Sequence, residues 1–238
     1  SNEAILFLGV LATAAAISFL GLAVDTGSGH FSLLILLATL AYGALGLWFY
    51  SGLTWVFALL SLGSWMGAAT GYASGWGAYY LGMNYPVRFV LFGLLLIFCG
   101  NAVFKAWPQR QELLRPTRVM GLLYVFIALW ILSIFGDYRG AYNWLETRQI
   151  ELLHWSILFA AAALAAIHHG VRYDDAMTRG FGLTFLFINL YTRFFEYFWD
   201  STHKTVFFAL LALSFWYLGS RAEKIWNMEA VKKIAGKQ

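Results

Sequence analysis

Five polar residues recur at helical spacing near the end of a long apolar segment, residues 181–199. They are Asn189, Arg193, Glu196, Tyr197 and Asp200. At about 100° per residue, these positions fall on one stripe of an α-helix. A charged side chain at membrane depth costs at least roughly 2.5 kcal/mol, so it usually faces protein or water and often marks a functional site. Arg193 and Glu196 are therefore the first candidates for ligand binding.

The chemistry of this pair indicates that it could bind an anion and exchange a proton. We expect Arg193 to hold an anionic group and Glu196 to titrate beside it, while Asn189 and Tyr197 orient the ligand. The i, i+3 spacing also permits a local ion pair, which lowers the cost of holding both charges in an apolar helix. A structural role is the alternative, in which the pair and polar groups such as Asn101 simply fasten helices together.

Two further function classes remain open. An intramembrane enzyme acting on a lipid or lipid-linked substrate would use Glu196 or Asp200 as a general base. The outer-side residues that could assist it are His154, His203 and Asp137. A non-catalytic assembly component would instead use the polar stripe to contact a partner helix.

Segment 71–86 is rich in glycine and aromatic residues, and we expect it to connect two helices on the outer side of a membrane. Such a loop could fold back over the bundle as a lid and offer its rings to a lipid tail, a sugar or a cation. The predicted ligand-binding set therefore also includes Trp76, Tyr80, Tyr85, Asp137 and His154. Together these residues predict an outward-facing cavity that binds or transports a small solute or lipid.

The composition is that of a multi-pass membrane protein. Of 238 residues, 61% are hydrophobic and 12% are charged, and the mean hydropathy is +0.66. Soluble domains carry about 25% charged residues. A helix needs roughly 20 apolar residues to cross the hydrocarbon core, and continuously apolar stretches favour helices over barrel strands. The predicted fold is an all-α transmembrane bundle whose eight helices lie at 4–24, 32–50, 53–70, 87–105, 119–136, 151–168, 181–199 and 204–220.

Lysine and arginine are distributed unevenly between the predicted loops. If the N-terminus is cytoplasmic, eleven of the sixteen basic residues fall on the inner side and four on the outer side. This bias is typical of a membrane protein with, in this case, both termini in the cytoplasm. The net charge of +4 then reflects topology and contact with anionic membrane lipids, and no nucleic-acid partner is expected.

We expect no metal site and no cofactor. The single cysteine, Cys99, excludes an internal disulfide and a cysteine metal cluster. The pairs His168-His169 and Asp174-Asp175 lie close together but lack metal-ligand spacing. We interpret them as a helix end followed by a solvated acidic loop.

The two halves of the chain resemble each other. Four short matches occur in the same order, among them GLTWVF at 52–57 and GLTFLF at 182–187. They predict a parallel duplication of four helices, as occurs in many transporters. In this register Gly63 and Met66 stand where the second half has its arginine and glutamate, so the charged pair occurs once.

The repeat also predicts the domain organisation. The predicted segments are a first half at 1–107, an inner linker at 108–118, a second half at 119–220 and a basic interfacial tail at 221–238.

Two strings carry a resemblance to other proteins: SWMGAATGYASGWGAYYLGMNYPVRF at 64–89 and GFGLTFLFINLYTRFFEYFWD at 180–200. Both resemble stretches of a group of uncharacterised bacterial inner-membrane proteins that share a domain of unknown function. The resemblance implies a bacterial cytoplasmic membrane and brings no activity with it. Binding or transport is therefore the leading hypothesis, and catalysis or assembly is the alternative.

Overall fold

The computed structural model describes residues 3–24, 31–136, 149–199, 203–214, 216–217 and 220. Almost all of these residues lie in helices, which confirms the all-α prediction. The α-helices are α1 (Glu3–Ala23), α2 (Ser32–Phe49), α3 (Gly52–Ala73), α4 (Tyr85–Ala106), α5 (Leu114–Phe135), α6 (Leu153–Arg172), α7 (Ala176–Phe198) and α8 (Lys204–Ser214). Short 3-10 helices, Pro108–Leu113 and Gln149–Leu152, precede α5 and α6.

Six helices in the described ranges, α1 to α6, are long and apolar enough to cross a membrane. Helices α7 and α8, which the sequence also predicted to cross the membrane, each fall short in either mean hydropathy or described length. Helix α7 has 23 residues, but polar side chains such as Arg193 and Glu196 lower its mean hydropathy. Helix α8 is apolar, but its described part, Lys204–Ser214, is shorter than the helices that can cross a membrane. The structure therefore supports a membrane protein with eight helices, of which six are long and apolar enough to cross a membrane within the described residues.

Local sequence signals set the junctions on either side of α3. Tyr50 ends α2 in the left-handed conformation, at φ 54°, and Ser51 caps α3 by accepting a hydrogen bond from the Thr54 amide at 3.3 Å. Asn84 caps α4 in the same way, because its Oδ1 accepts a hydrogen bond from the Val87 amide at 3.0 Å. Side-chain caps therefore define both helix starts.

A small antiparallel hairpin lies between α3 and α4, where the sequence predicted the loop 71–86. Its strands are Tyr79–Tyr80 and Met83–Asn84. The turn residues Leu81 and Gly82 have φ values of 52° and 74°, and positive φ at both positions is typical of a type I′ turn. Strands of two residues are too short to produce a detectable alternation in the sequence, which is why the hairpin was not predicted.

The predicted linker 108–118 is also helical. It begins with a 3-10 helix and continues into the first turn of α5, where Pro116 is tolerated because first-turn amides have no acceptor within the helix. Thr117 accepts a hydrogen bond from Trp55 Nε1 at 2.8 Å, which ties α5 to α3. Helix α5 therefore starts at Leu114, earlier than predicted.

The chain divides into two compact units, residues 1–189 and 190–238. The main apolar core of the first unit lies between α5, α6 and the first part of α7. At its centre Phe126 stacks on Phe185 with ring centroids 4.9 Å apart, and Phe159 lies 6.4 Å from Phe126. The halves predicted from the repeat rest on sequence similarity and stay a prediction.

Glycines let helices of the first unit approach closely. A Cβ at Gly93 of α4 would lie 2.6 Å from the carbonyl oxygen of Gly121 on α5. A Cβ at Gly182 of α7 would lie 2.6 Å from the carbonyl oxygen of Ala163 on α6. Small residues at such crossings are a main source of van der Waals packing between helices in lipid.

Candidate functional site

Arg193 and Glu196 form a two-point ion pair on α7. Nη2 of Arg193 donates to Oε1 of Glu196 at 2.8 Å, and Nη1 lies 2.6 Å from Oε2. The two side chains are 12% and 19% exposed, so both charges are largely shielded from solvent. The spacing of three residues brings the guanidinium fork onto both carboxylate oxygens. As a unit, the pair carries no net charge.

Aromatic packing holds the chain segment that carries this pair. Phe207 of α8 is fully buried, stacks on Phe194 at 4.8 Å and meets Phe195 edge-on at 4.9 Å. Tyr191 and Ser214 share a hydrogen bond of 3.0 Å between their hydroxyl groups. These contacts fix α8 against the last turns of α7 within the second unit. The apolar rings strengthen electrostatic interactions nearby because they lower the local dielectric constant.

Asn189, the last residue of the first unit, forms hydrogen bonds between two helices. Its Oδ1 accepts a hydrogen bond from Ser156 Oγ at 2.8 Å, and its Nδ2 donates to the Ser156 carbonyl oxygen at 3.0 Å. Asn189 is buried, so this double hydrogen bond fastens α7 to α6. Its predicted role in orienting a ligand stays a prediction.

The other polar residues of the predicted set are exposed or lie outside the described residues. Tyr197 is exposed on the second unit. His154 is exposed at the start of α6, with its ring 5.2 Å from that of Trp155. Asp137 and Asp200 lie outside the described residues, so their predicted roles stay predictions.

The predicted aromatic residues lie in and beside the hairpin. Trp76 stacks on Phe31 at 5.3 Å, and both Trp76 and the hydroxyl of Tyr85 abut Gly71 at the end of α3. Tyr80 is half-buried in the first strand. The structure therefore brings Trp76 and Tyr85 together and packs the connection against helix ends of the first unit.

A buried arginine, Arg88, lies beside these rings, and the sequence analysis did not select it. Its guanidinium carbon is 3.9 Å from the centroid of the Tyr85 ring. Nε donates to the Asn84 carbonyl oxygen at 3.3 Å, and Nη2 donates to the Ala78 carbonyl oxygen at 3.1 Å. The signal that could have identified it is a lone arginine in the first turn of an apolar helix, directly after an aromatic loop.

Asn101 lies in the first unit, and its predicted role as a polar contact for the charged pair stays a prediction. It accepts a hydrogen bond from Arg118 Nε at 2.7 Å. Arg118 also places Nη1 4.0 Å from Oδ2 of Asp175. These residues form a polar group that joins α4, α5 and the start of α7.

Asp175 caps α7, so the acidic segment after α6 is more ordered than the solvated loop that the sequence predicted. Its Oδ1 accepts hydrogen bonds from the amides of Met177 and Thr178, both at 3.1 Å, and its Oδ2 accepts one from the Thr178 hydroxyl at 2.7 Å. Burial by itself raises the pKa of Asp175. The Thr178 hydrogen bonds and the charge of Arg118 outweigh this effect and hold the pKa below its ordinary value.

Metal-binding side chains do not cluster in the described ranges, where no three His, Cys, Asp or Glu residues come together. The chemistry that the described side chains offer is ion pairing and proton exchange at the Arg193–Glu196 pair. Comparison with protein-family models, with curated proteins and with solved structures gives no match to this chain.

Proposed function

We propose that this chain is a multi-pass protein of the bacterial cytoplasmic membrane that binds, and transports, a small anionic solute or an anionic lipid. Arg193 would bind the anionic group and Glu196 would be its proton-dependent competitor. The observation that carries the proposal is the two-point ion pair, in which Glu196 occupies the guanidinium edge that an oxyanion ligand would use.

This competition couples ligand binding to protonation. While Glu196 is ionised, it neutralises Arg193 and an incoming anion is repelled by the carboxylate. Once Glu196 is protonated, Arg193 keeps its charge but no longer faces the negative charge of Glu196, so an anion binds favourably on the same edge. By linkage, a bound anion equally favours the protonated carboxyl group.

The net charge of the site supports this scheme. When a monovalent anion binds together with one proton, Arg193, the protonated Glu196 and the anion carry no net charge, and the original ion pair carries none either. Neutrality matters because an uncompensated charge in apolar surroundings costs several kcal/mol. The proposal therefore predicts electroneutral binding of one proton with each monovalent anion, which a proton gradient could drive.

The proposal also includes the membrane topology of the chain and its internal repeat. The bias of lysine and arginine supports both termini in the cytoplasm, with anionic membrane lipids around the basic segments. The sequence matches support a 4 + 4 duplication. Gly63 and Met66 at the equivalent positions of the first half support a site that occurs once, whereas a purely structural pair would have less reason to be asymmetric.

The test measures protons taken up per anion bound. The probe is glutamate, added to purified protein and followed by calorimetry at pH 5.5 in two buffers of different ionisation enthalpy. We expect binding with uptake of about one proton in the wild type, loss of this binding in Arg193→Ala, and binding without proton uptake in Glu196→Gln. Arg115→Gln is the matched control, because it removes an exposed arginine from α5.

A folded Arg193→Ala variant that binds glutamate with unchanged affinity and proton uptake would overturn the proposal. The same assay with phosphatidylglycerol in mixed micelles distinguishes a lipid head group from a soluble anion. Gel filtration and tryptophan fluorescence establish that each variant is folded.

A further inference from the structure

Arg88 carries a charge that its described neighbours do not neutralise. The residue is only 5% exposed. Its partners are the carbonyl oxygens of Ala78 and Asn84 and the ring of Tyr85, none of which is ionised at neutral pH. No carboxylate of the described residues pairs with it, and its Nη1 is buried without a hydrogen-bond acceptor. A buried guanidinium in this state lacks a counter-ion.

The hydrogen-bonding capacity that remains on Arg88 has a defined geometry. A guanidinium has five N–H groups. Nε and one N–H of Nη2 donate to the two carbonyl oxygens, which leaves three N–H groups on Nη1 and Nη2. This edge of the guanidinium is the one that binds two oxygens of a phosphate or carboxylate group at once.

The position of Arg88 in its helix also favours an anion. It is the fourth residue of α4, four positions after the cap residue Asn84. The helix dipole is positive at this end, so it disfavours a cation and favours a negative group. Burial of an uncompensated charge is a second, larger cost. An oxyanion that accepts from the unpaired N–H groups of Arg88 would reduce both costs.

The surrounding backbone holds Arg88 in place before any ligand binds. The Asn84 side chain donates from Nδ2 to the Gly136 carbonyl oxygen at 3.2 Å, which connects the start of α4 to the end of α5. The Trp76 amide donates to the Gly71 carbonyl oxygen at 2.7 Å, which holds the connection against α3. A preorganised donor edge binds an anion with less loss of conformational entropy.

We propose that Arg88 binds a phosphate-type oxyanion, with Nη1 and Nη2 as donors and Tyr85 covering one face of the guanidinium. Helix α4 has 22 residues and is about 33 Å long, against a hydrocarbon core of about 30 Å, so its first turn lies near the lipid head groups. The phosphate belongs either to an anionic lipid or to a soluble ligand. This site lies within the first unit and does not depend on the Arg193–Glu196 proposal.

The experiment follows the thermal midpoint of the full chain in detergent while two probes are titrated. One probe is sodium phosphate at constant ionic strength, with sodium chloride as the reference. The other is phosphatidylglycerol, with phosphatidylcholine as the reference. At a hundredfold excess over the dissociation constant we expect the midpoint of the wild type to rise by about 5 °C with one of the probes.

Four variants locate the effect. Arg88→Gln should lose the shift, and Arg88→Lys should weaken the apparent affinity about tenfold because an ammonium group lacks the planar fork. Arg115→Gln should keep the shift, which separates this site from general charge loss. The difference between Arg88 and Arg88→Gln should persist when both are compared in an Arg193→Ala background, which separates this site from the proposed ion-pair site. A shift with phosphate identifies a soluble ligand, and a shift with phosphatidylglycerol alone identifies a lipid head group.

The proposal is overturned if neither probe stabilises the wild type, or if Arg88→Gln keeps the full shift. Loss of the shift in Arg193→Ala together with its retention in Arg88→Gln would also overturn it, and would leave the ion-pair proposal standing. If Arg88→Gln does not fold, Arg88→Lys provides the test. An unchanged apparent affinity of Arg88→Lys for the stabilising probe would contradict the role of the guanidinium fork.

Discussion

Gly93 on α4 and Gly121 on α5 face each other so closely that each leaves no room for a side chain on the other. A Cβ at Gly93 would lie 2.6 Å from the carbonyl oxygen of Gly121, and a Cβ at Gly121 would lie 2.9 Å from that of Gly93. Backbone lies on both sides of this contact, so rotation of a side chain cannot relieve a clash. The two helices must separate if either residue gains a methyl group.

We therefore expect Gly93→Ala to lower the free energy of unfolding by about 2 kcal/mol through overpacking. Gly43→Ala on α2 is the matched control, because a Cβ there meets nothing within 4 Å. The control should be neutral or slightly stabilising, since alanine is the better helix former. Thermal unfolding in detergent gives both values, and equal effects of the two substitutions would contradict the close crossing.

The Arg193–Glu196 pair predicts strong coupling between the two side chains. Arg193→Met or Glu196→Gln removes one member of the ion pair and leaves the other charge partly buried, so each should destabilise the protein by about 3 kcal/mol. The double variant leaves no charge and should be more stable than either single variant. A double-mutant cycle on unfolding free energies measures this coupling, and additive effects would show that the ion pair is energetically unimportant.

Asp175 predicts a pH dependence of stability. Its pKa is lower in the folded protein than in the unfolded chain, so the folded state favours the ionised carboxylate. The resulting stabilisation is complete above the unfolded pKa, near 4, and disappears as the pH falls through the lower folded pKa. Asp175→Ala should cost about 1 kcal/mol at pH 7 through loss of the helix cap.

The measurement for Asp175 is the thermal midpoint between pH 7 and pH 3. The difference between the wild type and Asp175→Ala should narrow as the pH falls below about 4. Asp174→Asn is a suitable control, because Asp174 is an exposed neighbour and asparagine also tolerates its left-handed backbone at φ 51°. A difference between the wild type and Asp175→Ala that stays constant down to pH 3 would contradict a role for the ionised carboxylate.

Leu81 lies in a backbone conformation that leucine rarely adopts. Its φ is 52° at the first turn position of the hairpin, where asparagine is preferred. Leu81→Asn should stabilise the hairpin by about 0.5 kcal/mol, whereas Leu81→Val should destabilise it because a β-branched side chain is strained at positive φ. Hydrogen exchange of the hairpin amides tests the two opposite effects, and a change in the same direction for both variants would exclude the turn geometry as the cause.

The sequence predicted well those features that depend on neighbouring residues. Continuous apolar runs located the helices, because every backbone group in lipid must be satisfied within its own segment. The same locality explains why the spacing of Arg193 and Glu196 was enough to predict that they could pair. Their ligand, topology and catalytic or transport role stay predictions, since none of these follows from a contact within one helix.

Other features were decided only by tertiary structure. Ser156 and Asn189 are 33 positions apart, and nothing in either local sequence selects the other as its hydrogen-bond partner. In the sequence Arg88 resembles an ordinary interfacial arginine, and only the packing of the hairpin and of α4 buries it away from every carboxylate of the described residues. Helical periodicity depends on consecutive residues, whereas burial and pairing depend on which distant segments meet. That physical difference is why the apolar sequence determined the membrane helices, and why only the fold showed that Arg88 is buried without a counter-ion among the described residues.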